Sequence, residues 1–146
     1  MPTAGKLAGA ILFAVLAYVL AVNYRAELPL DYVPNAFYIW CVVIGLLCGW
    51  RVMGTRAGLP AREAPSSGIL TVVITVLVAV LFFSTQEMLR RSANKLYKGP
   101  LEAVVGIFEI AAHYIGMMAT PAFFGTMMLG GVACGMLAGM VGRRWP

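Results

Sequence analysis

The sequence predicts an all-α polytopic membrane protein with four transmembrane helices plus one amphipathic or re-entrant helix. Three observations carry that expectation. Hydrophobic residues make up 61% of the 146 residues and charged ones only 12%, against about 45–50% and about 25% in an average soluble domain. Four apolar runs have the length a bilayer demands. The ionisable side chains lie mainly between those runs, and no polar stretch approaches the roughly 40 residues of the smallest independent fold. The whole chain, 1–146, therefore reads as a single transmembrane domain.

The first span is expected over about 3–24. Its centre, Leu7 to Val22, carries neither charge nor amide. A hydrocarbon core of about 30 Å calls for about 20 residues at about 1.5 Å each, which Thr3 to Tyr24 supplies. A cleaved signal peptide fits less well, because the run is slightly long and no small-x-small site follows it. Pro29 and Pro34 interrupt the chain, and the second span follows over about 35–53. A loop rich in Gly, Pro, Ser and Arg leads to the third, about 68–86. The β-branched core of that segment, Gly68 to Phe83, would suggest a buried strand in water. It is too long for an ordinary strand, and lipid demands an element that satisfies its own backbone. The polar segment Ser84 to Gly99 is good helix-forming material up to Gly99-Pro100. The fourth span is expected over about 122–142.

Between them, about 100–118 mixes apolar residues with Glu102, Glu109 and His113. Each central charge costs about 2.5–3.5 kcal/mol on an insertion scale, so an interfacial helix is expected, with a fifth span as the alternative. Four spans put the N-terminus, the second loop and the C-terminus on one side. That side has six basic residues against five on the other (Arg25, Arg90, Arg91, Lys95 and Lys98), so the charge rule barely discriminates. The aromatic residues do more. Trp50-Arg51 and Arg144-Trp145 mark one boundary, and Tyr24, Tyr32, Phe37, Tyr38 and Trp40 mark the other. On that basis both termini are expected in the cytoplasm.

Few residues offer chemistry. Gly131, Gly135 and Gly139 repeat every four positions, and Gly45 and Gly49 do the same in the second span. Bare backbone on one face admits a close helix, from the same chain or from a partner. Glu109 and His113 stand one turn apart and suggest a weak cation or proton site, but one histidine falls short of the three or four ligands a metal needs. Arg90, Arg91, Lys95 and Lys98 form a basic cluster suited to lipid head groups or an oxyanion. The C-terminal methionines read as gap-fillers, and Cys41, Cys48 and Cys134 as small buried apolar residues. No phosphate loop, nucleophile elbow or zinc spacing occurs, so no catalytic residue and no cofactor is expected. The basic residues, scattered between apolar runs, do not form a nucleic-acid footprint.

Four stretches carry a resemblance: Met-Pro-Thr-Ala-Gly-Lys-Leu at the start, Cys48-Gly-Trp-Arg-Val-Met-Gly54, Glu87-Met-Leu-Arg-Arg-Ser92 with Tyr97-Lys-Gly-Pro-Leu-Glu-Ala103, and the closing Gly142-Arg-Arg-Trp145. With these the chain resembles the TrgA family of small bacterial membrane proteins associated with tellurium resistance. The resemblance implies an inner-membrane protein with a resistance phenotype and no transferable catalytic residue. It also makes Arg90-Arg91 and the Tyr97–Glu102 turn the best candidates for a functional surface. The function expected is non-enzymatic: a protein of tellurium or envelope stress, acting by helix–helix association with itself or a larger membrane complex. A small transporter or channel for an oxyanion or metal ion is the alternative.

Overall fold

A computed structural model of the chain describes residues 4–26, 36–56, 60–94 and 99–144. Every regular element among them is helical. The helices are α1 (Ala4–Ala26), α2 (Phe37–Arg56), α3 (Ala64–Ala93), α4 (Pro100–Met118) and α5 (Pro121–Arg144), and all five are long and apolar enough to cross a membrane. The chain is thus all-α and polytopic, as its composition predicts.

α1, α2, α3 and α5 form an antiparallel bundle, and small residues set how closely they approach. α2 descends along α1: a Cβ on Gly45 would lie 2.6 Å from the Ala17 Cβ, and one on Gly49 would lie 2.6 Å from the Gly9 carbonyl oxygen. Between Gly49 and Met53 the helix widens into a π turn. A wider turn resets the rotation of the residues after it. Met53 is thereby fully buried beside Gly9. α5 descends along α3 through Gly131 and Gly135, which meet Gly68 and Ala64. It also lies along α1, where the Cys134 thiol donates to the Leu12 carbonyl at 3.7 Å and the Asn23 amide donates to the Thr126 hydroxyl at 3.3 Å. Lipid offers no hydrophobic contrast between helices, so such close, small-residue contacts supply the association.

α3 departs most from its expected bounds. It begins at Ala64, with Pro65 in its first turn where proline is tolerated, and runs unbroken to Ala93, 30 residues in all. No Gly or Pro lies between Gly68 and Gly99 to stop it. A helix of that length reaches about 45 Å, well beyond a hydrocarbon core of about 30 Å. Its final third, Ser84 to Ala93, is the polar segment and projects past the upper end of the bundle, where Tyr24, Phe37 and Phe123 gather.

α4 covers that projection. It packs against α3 and buries Gly106, Ile110 and Ala111. Six residues separate it from the top of α3, and two, Ala119 and Thr120, separate it from the top of α5. Its start is therefore tethered to the projecting end of α3 and its finish to the upper end of the bundle, from which α5 descends. The lower end carries Lys6, Gly54 and Ala64.

Candidate functional site

The upper half of the bundle encloses a cavity of about 380 Å³. Its depth is apolar: Ala17, Leu20 and Ala21 of α1, Cys41 of α2, and Thr75, Val76, Ala79 and Val80 of α3. Short side chains on α1 and α3 leave this space. Ala17 and Ala21 lie one turn apart, as do Thr75 and Ala79, so each pair presents a shallow surface. Thr75 does not make the interior polar, because its hydroxyl donates to the Thr71 carbonyl at 2.7 Å. Such back-bonding is how a helix hides a hydroxyl in an apolar setting.

Aromatic residues frame the cavity. Phe37 stacks on Phe83 at 4.9 Å between centroids and lies 6.2 Å from Tyr24. The contact continues sideways through Phe82 to Trp40 at 5.0 Å. Tyr38 accepts the Arg25 guanidinium both ways: Nη1 donates to its hydroxyl at 3.0 Å, and the cation sits 5.3 Å from the ring centre. The residues that the sequence marks as a boundary belt thus form a connected aromatic cluster; Tyr32 lies outside the described residues.

The mouth of the cavity is polar. Gln86, Glu87 and Arg90 of α3 face Tyr114 and Met118 of α4 across it, with Phe123 of α5 beside them. Glu87 accepts from the Arg91 guanidinium at 3.0 Å, one helical turn on. That pair cancels its own charge. Arg90 is exposed and has no ion-pair or hydrogen-bond partner among the described residues. The described residues that line the opening and its ion pair therefore sum to a positive charge.

No protein-family model, no curated protein and no solved structure matches the chain.

The other residues singled out in the sequence fall in separate places. Gly45, Gly49, Gly131, Gly135 and Gly139 all face helices of the same chain. The surfaces of these five glycines are filled within the bundle. Arg90 and Arg91 part ways, one at the cavity mouth and one in the ion pair; Lys95 and Lys98 lie outside the described residues. Glu109 and His113 are exposed on α4 along with Glu102. No group of three or more His, Cys, Asp or Glu that could hold a metal ion occurs among the described residues, and the Glu87 carboxylate is held by Arg91. The methionines disperse. Met127 is buried in the core, Met128, Met136 and Met140 face outward, and Met117 takes the Tyr24 hydroxyl at 4.0 Å.

α4 itself shows three faces. Ile110 and Ala111 pack inward. Leu101, Val104, Val105, Phe108 and Ile115 form an exposed apolar face, with Leu101 81% exposed and Phe108 66%. Glu102, Glu109 and His113 form a polar stripe between the two. Packed side, greasy side and wet side is the pattern of a helix lying at a water–lipid boundary.

Proposed function

We propose that the chain is a non-enzymatic integral membrane protein that takes an amphipathic molecule from the lipid phase into its upper cavity. The setting we propose is the tellurium or envelope stress implied by the resemblance to TrgA, in a bacterial inner membrane. The observation that carries the binding reading is the cavity's two-part lining, apolar through its depth and polar at a mouth level with the end of the bundle. Small-molecule sites are concave, mostly apolar and furnished with a few placed polar groups, with volumes of about 300–1,000 Å³. The three faces of α4 support this reading, because a helix of that pattern at the membrane surface seals one side of the mouth at the depth where a head group resides. An exposed apolar face on α4 also favours a second role: contact with another membrane component beside the cavity.

Native mass spectrometry of the full chain released from mild detergent tests the reading. The wild-type chain is expected to carry a bound amphiphile. Ala79→Trp, which fills the cavity, is expected to lose that mass while keeping its helical circular dichroism. Equal retention by both proteins would reject the cavity as the site.

A further inference from the structure

The geometry points to an anionic amphiphile with a single acyl chain as the guest of the upper cavity, its head group held by Arg90; this rests on the cavity reading above. Three features converge on that class. The first is shape. From Thr75 to Arg90 the lining follows α3 for about 22 Å, so the space is a slot along one helix. A volume of about 380 Å³ stretched over that length accommodates one chain side by side with α3, and not two. The second is the order of chemistry along the slot. Thr75 directs its hydroxyl to its own helix backbone, and Val76, Ala79, Val80 and Phe83 offer nothing but carbon, so along α3 polarity begins at Gln86, Glu87 and Arg90. A molecule with one polar end fits in one direction only, tail down.

The third feature is charge. Glu87 would repel an anion if it stood alone, but the Arg91 guanidinium occupies it at 3.0 Å. Among the described residues, Arg90 is the charge left over at the mouth. A planar guanidinium with its fork of donors matches a carboxylate or phosphate in bidentate fashion, and Gln86 adds an amide donor beside it. Hydrogen bonds to a charged partner at a boundary gain strength from the lower dielectric on the bundle side. A cationic head group would meet Arg90 with like charge, and an uncharged one would leave it without a counter-ion.

The shared chemistry of such guests is one acyl chain ending in an anion, which a fatty acid and a lysophospholipid both supply. Displacement of a fluorescent polyene fatty acid from the full-length chain in detergent separates them. Oleate, lysophosphatidylglycerol, methyl oleate and monoolein serve as competitors, against wild type and Arg90→Gln. Displacement by oleate alone would assign a carboxylate, and displacement by the lysophospholipid a phosphate. At least one anionic competitor is expected to bind about tenfold more tightly than methyl oleate, a difference that one charge-assisted contact supplies. Arg90→Gln is expected to erase that preference while the neutral compounds bind as before. Equal binding of acid and ester, or an unchanged preference in Arg90→Gln, would overturn the anionic assignment and leave the cavity reading intact. Failure of every compound, including the fluorescent probe, would remove the cavity reading itself. Because Arg90 is exposed, its replacement leaves the bundle folded, and circular dichroism confirms this in the same samples.

Discussion

Gly68 of α3 and Gly135 of α5 stand face to face: a Cβ added to either would lie 2.7 Å from the other's Cα. No side chain intervenes, so nothing at this crossing is able to move aside. Gly135→Ala would also drive its methyl to 2.5 Å from the Ala64 carbonyl oxygen. Overpacking of a fitted interior costs about 1–3 kcal/mol, with larger values where backbone must shift, so Gly135→Ala and Gly68→Ala are each expected to destabilise by about 3 kcal/mol. Gly116 is the control. A Cβ there meets nothing within 4 Å, and Gly→Ala within a helix gains about 0.5–1 kcal/mol. Thermal unfolding in detergent should show the first two variants well below wild type and Gly116→Ala at or above it. A wild-type midpoint for Gly135→Ala would contradict the close crossing.

That pair also shows how far the sequence was legible. The repeat of Gly131, Gly135 and Gly139 announces a flat face, but the partner residue, Gly68, opens a β-branched run as a single glycine with no repeat to mark it. Period reveals a surface; it does not reveal what lies opposite, because the partner is set by three-dimensional order. The π turn at Gly49–Met53 left no trace in composition for the same reason. The bundle itself was legible because apolar runs of bilayer length leave lipid-compatible backbone only one option. The extent of α3 was legible in part: Ser84 to Gly99 reads as helix-forming with no breaker before Gly99, but hydropathy reports only the part that sits in hydrocarbon and so bounds the span and not the helix. The cavity was least legible of all. Ala17, Ala21, Thr75 and Ala79 are ordinary residues on separate helices, and emptiness arises from their juxtaposition. Only Arg90 at its mouth was visible as a candidate, by virtue of its charge.

Two serines on α3 predict a gain in stability. The Ser67 and Ser84 hydroxyl oxygens are buried and have no hydrogen-bond partner among the described residues, whereas Thr71 and Thr75 on the same helix bond to backbone carbonyls at 2.7 Å. A buried hydroxyl without a partner is penalised by about 1–3 kcal/mol. Ser84→Ala removes that penalty at almost constant shape and is expected to stabilise by about 1 kcal/mol. Thr75→Val, which removes a satisfied group, is expected to be nearly neutral. Urea or thermal titration of both variants checks the contrast, and a destabilised Ser84→Ala would mean the hydroxyl is bonded in the folded protein.

The Arg25–Tyr38 contact predicts a graded loss. Tyr38→Phe keeps the ring under the guanidinium and removes only the 3.0 Å hydrogen bond. A bond to a charged donor at a partly buried site contributes about 1.5 kcal/mol. Tyr38→Leu also removes the ring that lies 5.3 Å from the cation and 5.6 Å from Tyr18, a further loss of about 1 kcal/mol. The expected order of unfolding midpoints is wild type, then Phe, then Leu. Equal midpoints for the two variants would assign the whole effect to the hydroxyl.

The two ends of α4 give the sharpest test of how the chain sits in a membrane. α4 is long and apolar enough to cross, yet its start is tied by six residues to the projecting end of α3 and its finish by two residues to the upper end of α5. A crossing helix needs its ends at opposite faces of a layer about 30 Å thick. α5 begins beside Tyr24 and Phe123 at the upper end and descends to Gly139 beside Ala64 at the lower, so the top of α5 and the end of α4 share one face. With Cys41, Cys48 and Cys134 replaced by alanine, single cysteines at Glu102 and Thr120 are expected to react with a membrane-impermeant maleimide from the same side of sealed vesicles. A cysteine at Arg56, at the lower end, is expected to react from the other side. Labelling of Glu102 and Thr120 from opposite sides would make α4 a fifth span. The cavity mouth would then lie within the hydrocarbon instead of at its edge, where Arg90 would be costly to keep charged.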